Sequence, residues 1–329
     1  MISKINKIGV FTSGGDSPGM NAAIRSVVRT CAYMEIKCVG IYRGYQGMIE
    51  GDFIDMDARS VNNIINKGGT ILKSARCSDF RTSEGRKKAH DQLVSEGIDG
   101  LVVIGGDGSF TGAMFFNKEY NIPIIGIPGT IDNDIFGTTY TLGFDTALNT
   151  VVESIDKIRD TASSHNRLFF VEVMGRDVGH IALNAGVGAG AEEILIPEEN
   201  LGLERLLESL ERSEASGKSS SIVVVAEGEN TAGKNVFQLK EYVEEHIPKY
   251  DVRVSVLGHM QRGGAPSCFD RVLASRMGVR AVEALLEGKS TLMVGIQDNN
   301  ITLTPISEAI KGHTKIDKEL IRVSDIMST

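Results

Sequence analysis

The sequence predicts an α/β fold in which helices cover both faces of a mostly parallel sheet. Three observations carry that reading. Short apolar, β-branched runs recur along the chain, each run ends in a glycine-bearing turn, and helical periodicity lies between them. Such runs read as strands buried on both faces, which is the habit of parallel strands. In open sheets of this kind ligands bind beyond the carboxyl ends of the strands, where the glycine turns fall.

In chain order, residues 5–11 run into Thr12-Ser13-Gly14-Gly15-Asp16 and then a predicted helix over 20–31. Residues 100–104 run into Gly105-Gly106-Asp107-Gly108-Ser109 and then a helix over 111–116. Residues 122–127 lead to Pro128-Gly129-Thr130, 167–173 to Met174-Gly175-Arg176, and 222–226 to Glu227-Gly228. Val151, Val152, Ile155 and Ile158 share one helical face, and Leu203, Leu206, Leu207 and Leu210 mark another. The polar, serine-rich stretch 211–221 reads as a surface loop, as does 230–235. With 329 residues the chain exceeds what one core usually serves, so two domains are expected. A boundary is expected near 140–143, where a turn-rich region gives way to a long helix.

Composition narrows the class. Thirty-seven glycines stand where about 23 would be ordinary at ~7% usage, yet there are only 7 prolines. Disorder would raise both; this pattern asks for turns without side chains. The charge is −8, which argues against non-specific binding to nucleic acid or an anionic membrane. No apolar run is long enough to span a bilayer, and the first ten residues hold no secretory apolar segment. Cys31, Cys38, Cys77 and Cys268 show no CxxC spacing, so the expectation is thiols in a reducing cytoplasm.

The motifs point to phosphate chemistry. Gly14-Gly15-Asp16 precedes a helix start, whose free N–H groups and dipole favour anions. Gly105 to Ser109 repeats the design, and two such turns would suit two sides of one ligand. Asp107, between glycines at a strand end, either closes its own turn or holds Mg²⁺ against phosphate oxygens. In Thr130-Ile131-Asp132-Asn133-Asp134 two carboxylates lie two residues apart. They form either a polar loop or a proton acceptor with its orienting partner. Arg76, Arg167, Arg176, Arg253 and Arg262 gather near the turns, and guanidinium groups grip phosphates bidentately. Walker A is absent, because neither Gly-Lys-Ser has a glycine five positions earlier. Gly186, Gly188, Gly190 and Ala191 match a loose dinucleotide fingerprint, but the β-type run follows these glycines instead of preceding them.

Together the strings KIGVFTSGGDSPGMNAAIR (7–25), GLVVIGGDGSF (100–110), PGTIDNDI (128–135), SSHNR (163–167), VEVMGR (171–176) and VLGHMQRGG (256–264) resemble the phosphofructokinase family, in particular its short bacterial ATP-dependent branch. The resemblance covers nearly the whole chain. It implies two similar domains, each a mostly parallel sheet flanked by helices, with the active site in the cleft between them. Residues 1–142 and 260–308 would bind ATP, and 143–259 and 309–329 would bind fructose 6-phosphate.

Residue by residue, it implies that Gly15, Gly106, Asp107, Gly108 and Ser109 hold ATP, with Arg76 on its phosphates and Cys77 beside it. Asp107 would bind Mg²⁺. Asp132 would take the proton of the sugar 1-hydroxyl in this glycolytic step, with Thr130, Asp134 and Arg176 as catalytic neighbours. Ile131, Met174, Gly175, Arg176, Glu227, Met260 and Gln261 would line the sugar. Arg167, Arg253, His259 and Arg262 would hold the 6-phosphate, with Arg167 and Arg253 reaching in from a neighbouring subunit of a homotetramer. Gly108 and Gly129 favour ATP over pyrophosphate, since the pyrophosphate-dependent branch carries aspartate and lysine there. Arg25, Arg29, Arg159, Glu192 and Lys218 match an effector site for ADP or phosphoenolpyruvate. That match is incomplete at Ser219, Ser220, Ala58 and Arg59, so a weakened response is expected. A catalytically silent nucleotide sensor would lack a base or metal ligand, yet Asp107 and Asp132 are both present. An NAD-dependent oxidoreductase rests on the misordered Gly186 run alone.

Overall fold

The computed structural model describes residues 5–162, 167–199, 202–215, 221–228 and 234–328. Three features read from the sequence lie outside these: Lys218 with Ser219 and Ser220, residues 163–166, and most of the polar loop 230–235. The strands are β1 (Lys7–Thr12), β2 (Lys37–Ile41), β3 (Phe53–Met56), β4 (Gly100–Gly105), β5 (Ile124–Pro128), β6 (Arg167–Val173), β7 (Glu193–Leu195), β8 (Ser221–Ala226), β9 (Asp251–Val256), β10 (Leu292–Gln297) and β11 (Asn300–Pro305). They form two sheets in two compact units. One unit comprises Met1–Ile131, Ile135–Thr146 and Arg262–Thr314; the other comprises Asp132–Asp134, Ala147–Gln261 and Lys315–Thr329.

The first unit holds a seven-stranded sheet in the order β11-β10-β5-β4-β1-β2-β3. Only its two edge pairings, β2 with β3 and β10 with β11, are antiparallel. Every residue of β4 is buried, which explains an apolar run without alternation. One face packs on Ile24, Val27 and Val28 of the helix Met20–Tyr33 and on Leu273, Met277 and Ala281 of the helix Cys268–Leu286. The other face packs on Tyr45, Leu93, Phe110 and Phe116, from helices on the opposite side. The order places β1 beside β4, although β2 and β3 lie between them in sequence. The chain reverses its direction of travel across the sheet there, which makes the carboxyl ends of β1 and β4 the expected ligand crevice.

The second unit holds an all-parallel sheet in the order β7-β8-β6-β9. Leu206 and Leu210 of the helix Leu203–Ala215, with Leu239 and Val243 of the helix Val236–His246, bury one face against Phe170, Val223 and Val252. Among the described residues no helix is long and apolar enough to cross a membrane.

The structure corrects two local readings. The helix over Leu203–Ala215 takes in residues 211–215, which the sequence assigns to a loop. Its polar residues are good helix formers, and a buried Ser213 keeps the inward face going after the leucines stop. The helix after β4 begins at Asp107, not Thr111, so Asp107, Gly108 and Ser109 belong to its first turn. Glycine hides this start because its propensity is poor, while an aspartate in the first turn suits the helix dipole. The Gly186 run lies at the end of the helix His180–Gly188, with Gly190 left-handed at φ +63° just beyond. It opens no helix after a strand and so forms no dinucleotide turn.

Packing tolerances in the first unit are small. A Cβ on Gly126 of β5 would lie 2.6 Å from the ring of the fully buried Phe110. Gly126→Ala is therefore expected to cost about 1–3 kcal/mol, with Phe110→Leu recovering part of it in the double variant. Urea unfolding of the four proteins measures this; strictly additive costs would show that the two residues do not press on each other.

Candidate active site

Three turns converge at the carboxyl edge of the first sheet. Thr12 of β1 is in register with Ile104 of β4, and Gly105 of β4 with Pro128 of β5. The Ser13 amide donates to the Ile104 carbonyl at 3.0 Å, and the Gly129 amide to the Gly105 carbonyl at 3.0 Å. The backbones touch so closely that a Cβ on Gly105 would lie 2.5 Å from the Ser13 carbonyl oxygen and 2.6 Å from Ser109 Oγ. A Cβ on Gly129 would lie 3.1 Å from Met20 Cε and 3.2 Å from Ile104 Cγ2.

Within this crevice Gly106 precedes the helix Asp107–Tyr120 in extended conformation. Asp107 and Gly108 are exposed, Ser109 is buried, and nothing lies within 4 Å of a Cβ placed on Gly108. The first turn of the helix thus opens onto free space at Gly108, and the N–H groups at a helix start are the donors an anion site requires. The sequence reading missed Tyr45. Its hydroxyl donates to the Ser109 carbonyl at 2.6 Å, and its ring stacks on Phe80 with centroids 3.9 Å apart. Burial pushes the phenol pKa far up, so it stays a neutral donor. Arg76 is exposed on the loop before Phe80, and Cys77 packs at the margin of the aromatic cluster that Phe80 belongs to. Burial raises the Cys77 thiol pKa.

Gly15 is exposed, and a Cβ there would lie 2.8 Å from Arg262 Nη1. Arg262 also donates to the Asp16 carbonyl at 3.3 Å. The structure therefore sets Arg262, expected on the sugar phosphate, against the first glycine turn. The loop before Arg76 is anchored by Asn21, a second residue missed from sequence. Its side chain accepts from the Ile71 amide at 2.7 Å and donates to the Lys67 and Gly68 carbonyls at 3.1 Å each.

After β5, Thr130, Ile131, Asp132 and Asn133 are buried and Asp134 is half-buried. Asn133 takes the left-handed conformation at φ +53°, which sharpens the turn. Within the second unit, Asp132 Oδ2 lies 3.4 Å from Arg176 Nε, the carboxylate almost wholly covered and the guanidinium half-exposed. Gly175 at φ +145° and Arg176 at φ +54° form a tight bend after β6. Glu227, at the end of β8, holds it: one carboxylate oxygen accepts from the Arg176 amide at 3.0 Å and from the Gly175 amide at 3.4 Å. The buried Gln261 accepts from the Met174 amide at 3.2 Å, and its own amide donates to the Gly258 carbonyl at 3.0 Å. His259 and Met260 are exposed on the turn Gly258–Arg262. Half-buried Glu172 of β6 has its carboxyl pKa raised, first by burial and then by the charge of Glu227. The carboxyl end of the second sheet thus gathers Met174, Gly175, Arg176 and Glu227.

Arg167 and Arg253 lie elsewhere. Arg167 opens β6, seven residues and about 20 Å from Met174. It pairs in register with Asp251, and the two arginines share that carboxylate, each at 3.0 Å. They hold the Asp251 carboxyl below its usual range, the Arg167 hydrogen bond contributing most.

The residues matched to an effector site also divide. Arg25 and Arg29 stand one turn apart on the helix Met20–Tyr33, and Arg29 reaches Asn62 at 3.2 Å. Burial and then the Arg29 charge lower the Arg25 pKa. In the second unit Arg159 lies 3.7 Å from the buried Glu192 and donates to the Ala189 and Gly190 carbonyls at 2.8 and 2.7 Å.

The phosphofructokinase family model matches residues 7–285. The chain is 52% identical over 316 residues to ATP-dependent 6-phosphofructokinase 2 of Bacteroides thetaiotaomicron, covering 96% of each chain. It is 52% identical over 324 residues to ATP-dependent 6-phosphofructokinase 1 of Thermus thermophilus, covering 98% of this chain and 100% of that one. The solved phosphofructokinase of Saccharomyces cerevisiae superposes with a TM-score of 0.89 at 39% identity, over 93% of this chain but only 45% of the yeast chain. Convergent glycine turns at the switch point of the first sheet, and kinship along nearly the whole length, lead to one conclusion: this chain belongs to the phosphofructokinase family.

Proposed function

We propose that the protein transfers the γ-phosphoryl group of ATP to the 1-hydroxyl of fructose 6-phosphate in the cytoplasm, giving fructose 1,6-bisphosphate and ADP in the committed step of glycolysis. The observation that carries this reading is the meeting of three glycine turns around the open first turn of the helix Asp107–Tyr120. Phosphoryl transfer needs chiefly positioning and charge neutralisation, with one base on the acceptor.

In this reading Gly15, Arg76, Cys77 and residues 106–109 receive ATP, the phosphates resting on helix N–H groups. Gly108 opens onto empty space, so the backbone approaches the nucleotide unobstructed. Gly129 is packed against Met20 and Ile104, so the lysine of the pyrophosphate-dependent branch would have to displace both. Both positions favour ATP. Asp107 would hold Mg²⁺. The fit rests on an exposed hard carboxylate beside an anion site. Among the described residues no group of three or more His, Cys, Asp or Glu could hold an ion alone, so phosphate oxygens and water would complete its shell. The ion would neutralise phosphate charge.

Asp132 accepts the 1-hydroxyl proton as that oxygen bonds to the γ-phosphorus and the bond to ADP breaks. Arg176 orients its carboxylate and, with Thr130 and Asp134, frames the reacting groups. Ile131, Met174, Gly175, Glu227, Met260 and Gln261 line the sugar, with His259 on its 6-phosphate; Arg262 would join it by leaving the Asp16 carbonyl that it holds in this structure. Arg167 and Arg253, grouped at the amino end of their sheet, serve the site of a neighbouring subunit in a homotetramer. ADP and phosphoenolpyruvate act at Arg25, Arg29, Arg159, Glu192 and Lys218. An anion there would relieve the mutual repulsion of Arg25 and Arg29.

A coupled assay of fructose 6-phosphate with ATP or pyrophosphate, with and without Mg²⁺, tests the reading; turnover with pyrophosphate alone would refute it. Asp132→Asn is expected to lower kcat by about 10²–10⁴-fold with little change in half-saturation. Near-normal turnover would remove Asp132 as the base. Arg167→Ala should chiefly raise half-saturation for the sugar phosphate, and a change confined to kcat would contradict its place on the 6-phosphate. The effector response should be weak, because Ser219 and Ser220 supply no cations. A shift in half-saturation as large as in fully basic relatives would count against that.

A further inference from the structure

A short strap decides how the chain leaves β5 towards Asp132. Leu142 faces Gly129 in an isolated parallel bridge, and the Leu142 amide donates to the Pro128 carbonyl at 2.9 Å. One residue earlier, the Thr141 hydroxyl donates to the Thr130 carbonyl at 2.6 Å, and Thr141 is completely buried. The strap is itself pinned. The amides of Gly143 and Thr146 donate to the two carboxylate oxygens of Asp270, each at 2.9 Å, and Asp270 is completely buried. On its other side the strap lies against the first glycine loop. A Cβ on Gly143, which sits at φ +99°, would be 2.7 Å from Ser17 Cβ.

We infer that Thr141 is a positioning residue for the phosphoryl transfer: its hydroxyl fixes the peptide plane between Thr130 and Ile131, and with it the direction of the chain to Asp132. Rotation of that plane would swing the following residues as a lever. A misplacement of about 1 Å, even from a residue away from the chemistry, costs on the order of a hundredfold in rate. The hydrogen bond is short and buried, so it resists such rotation more than an exposed one. The strap is held by a carboxylate from a distant helix, so the constraint comes from tertiary structure and not from the loop itself. The inference rests on the reading of Asp132 as the base.

The test compares Thr141→Val, Thr141→Ser and Asp132→Asn in the full-length enzyme, with kcat, half-saturation for both substrates and melting temperature read for each. Thr141→Val keeps the shape and loses the hydroxyl; Thr141→Ser keeps the hydroxyl and loses the methyl. The expected result is a fall in kcat of about ten- to a hundredfold in Thr141→Val, with half-saturation for both substrates little changed and most of kcat regained in Thr141→Ser. A purely structural role would lower the melting temperature and leave kcat per folded protein intact. Wild-type kcat in Thr141→Val beside an inactive Asp132→Asn overturns the inference and leaves the base reading standing. Loss that Thr141→Ser does not regain also overturns it, since packing of the methyl would then be the cause. An active Asp132→Asn overturns the base reading, and the inference falls with it. Should Thr141→Val not fold, Thr141→Ala against Thr141→Ser makes the same comparison.

Discussion

Close approach of three loop backbones at one end of a parallel sheet is the constraint on which the rest of this structure depends. A side chain at Gly105 would force the loops apart, because the Ser13 carbonyl and Ser109 already fill the space, and one at Gly129 would press on Met20 and Ile104. The loops meet because β1 and β4 are sheet neighbours while β2 and β3 fill the opposite side. Parallel pairing sets the carboxyl ends level, and right-handed crossovers bring the next helix back with its N-terminus at the same edge. Phosphate recognition then needs no cluster of lysines. In the proposed function, backbone N–H groups and a helix dipole would supply positive potential where the chain as a whole carries −8.

The second unit solves a different problem. Its bend at Gly175 and Arg176 needs two left-handed residues in succession, one of them not glycine. Such a conformation persists only when its surroundings hold it. Glu227 does so through two backbone amides, and Gln261 through a third at Met174. These side chains therefore shape the bend before any ligand arrives. The arginines at the far end of the same sheet are tied to Asp251, so a phosphate that reached them would compete with an internal carboxylate.

The strands that end in glycine turns could be read from the sequence, since their β-branched runs alternate with clear helical stripes. Edge strands could not. β3 is four residues with adjacent exposed Ile54 and Asp55, so no periodicity marks it, and the alternation of β11 rests on just two apolar residues, Ile301 and Leu303. The helix start at Asp107 was hidden by glycine, and the last turn of the helix Leu203–Ala215 by its polar composition. Nothing local in the sequence marks Tyr45 or Asn21 as an anchor of a remote segment. Each acts on a backbone group 64 or 50 residues away, Ser109 and Ile71 respectively.

Local order along the chain was enough for the class of fold, the family, and the residue types that stand at the strand ends. Those are set by local order along the chain, where glycine, aspartate and arginine must stand beside strand ends. Tertiary structure alone decided which of these residues meet. It joined the three turns at one crevice, set Arg262 against Gly15, and moved Arg167 and Arg253 to the other end of their sheet. Strand order and register make those choices, and they arise from packing between segments that are remote in sequence.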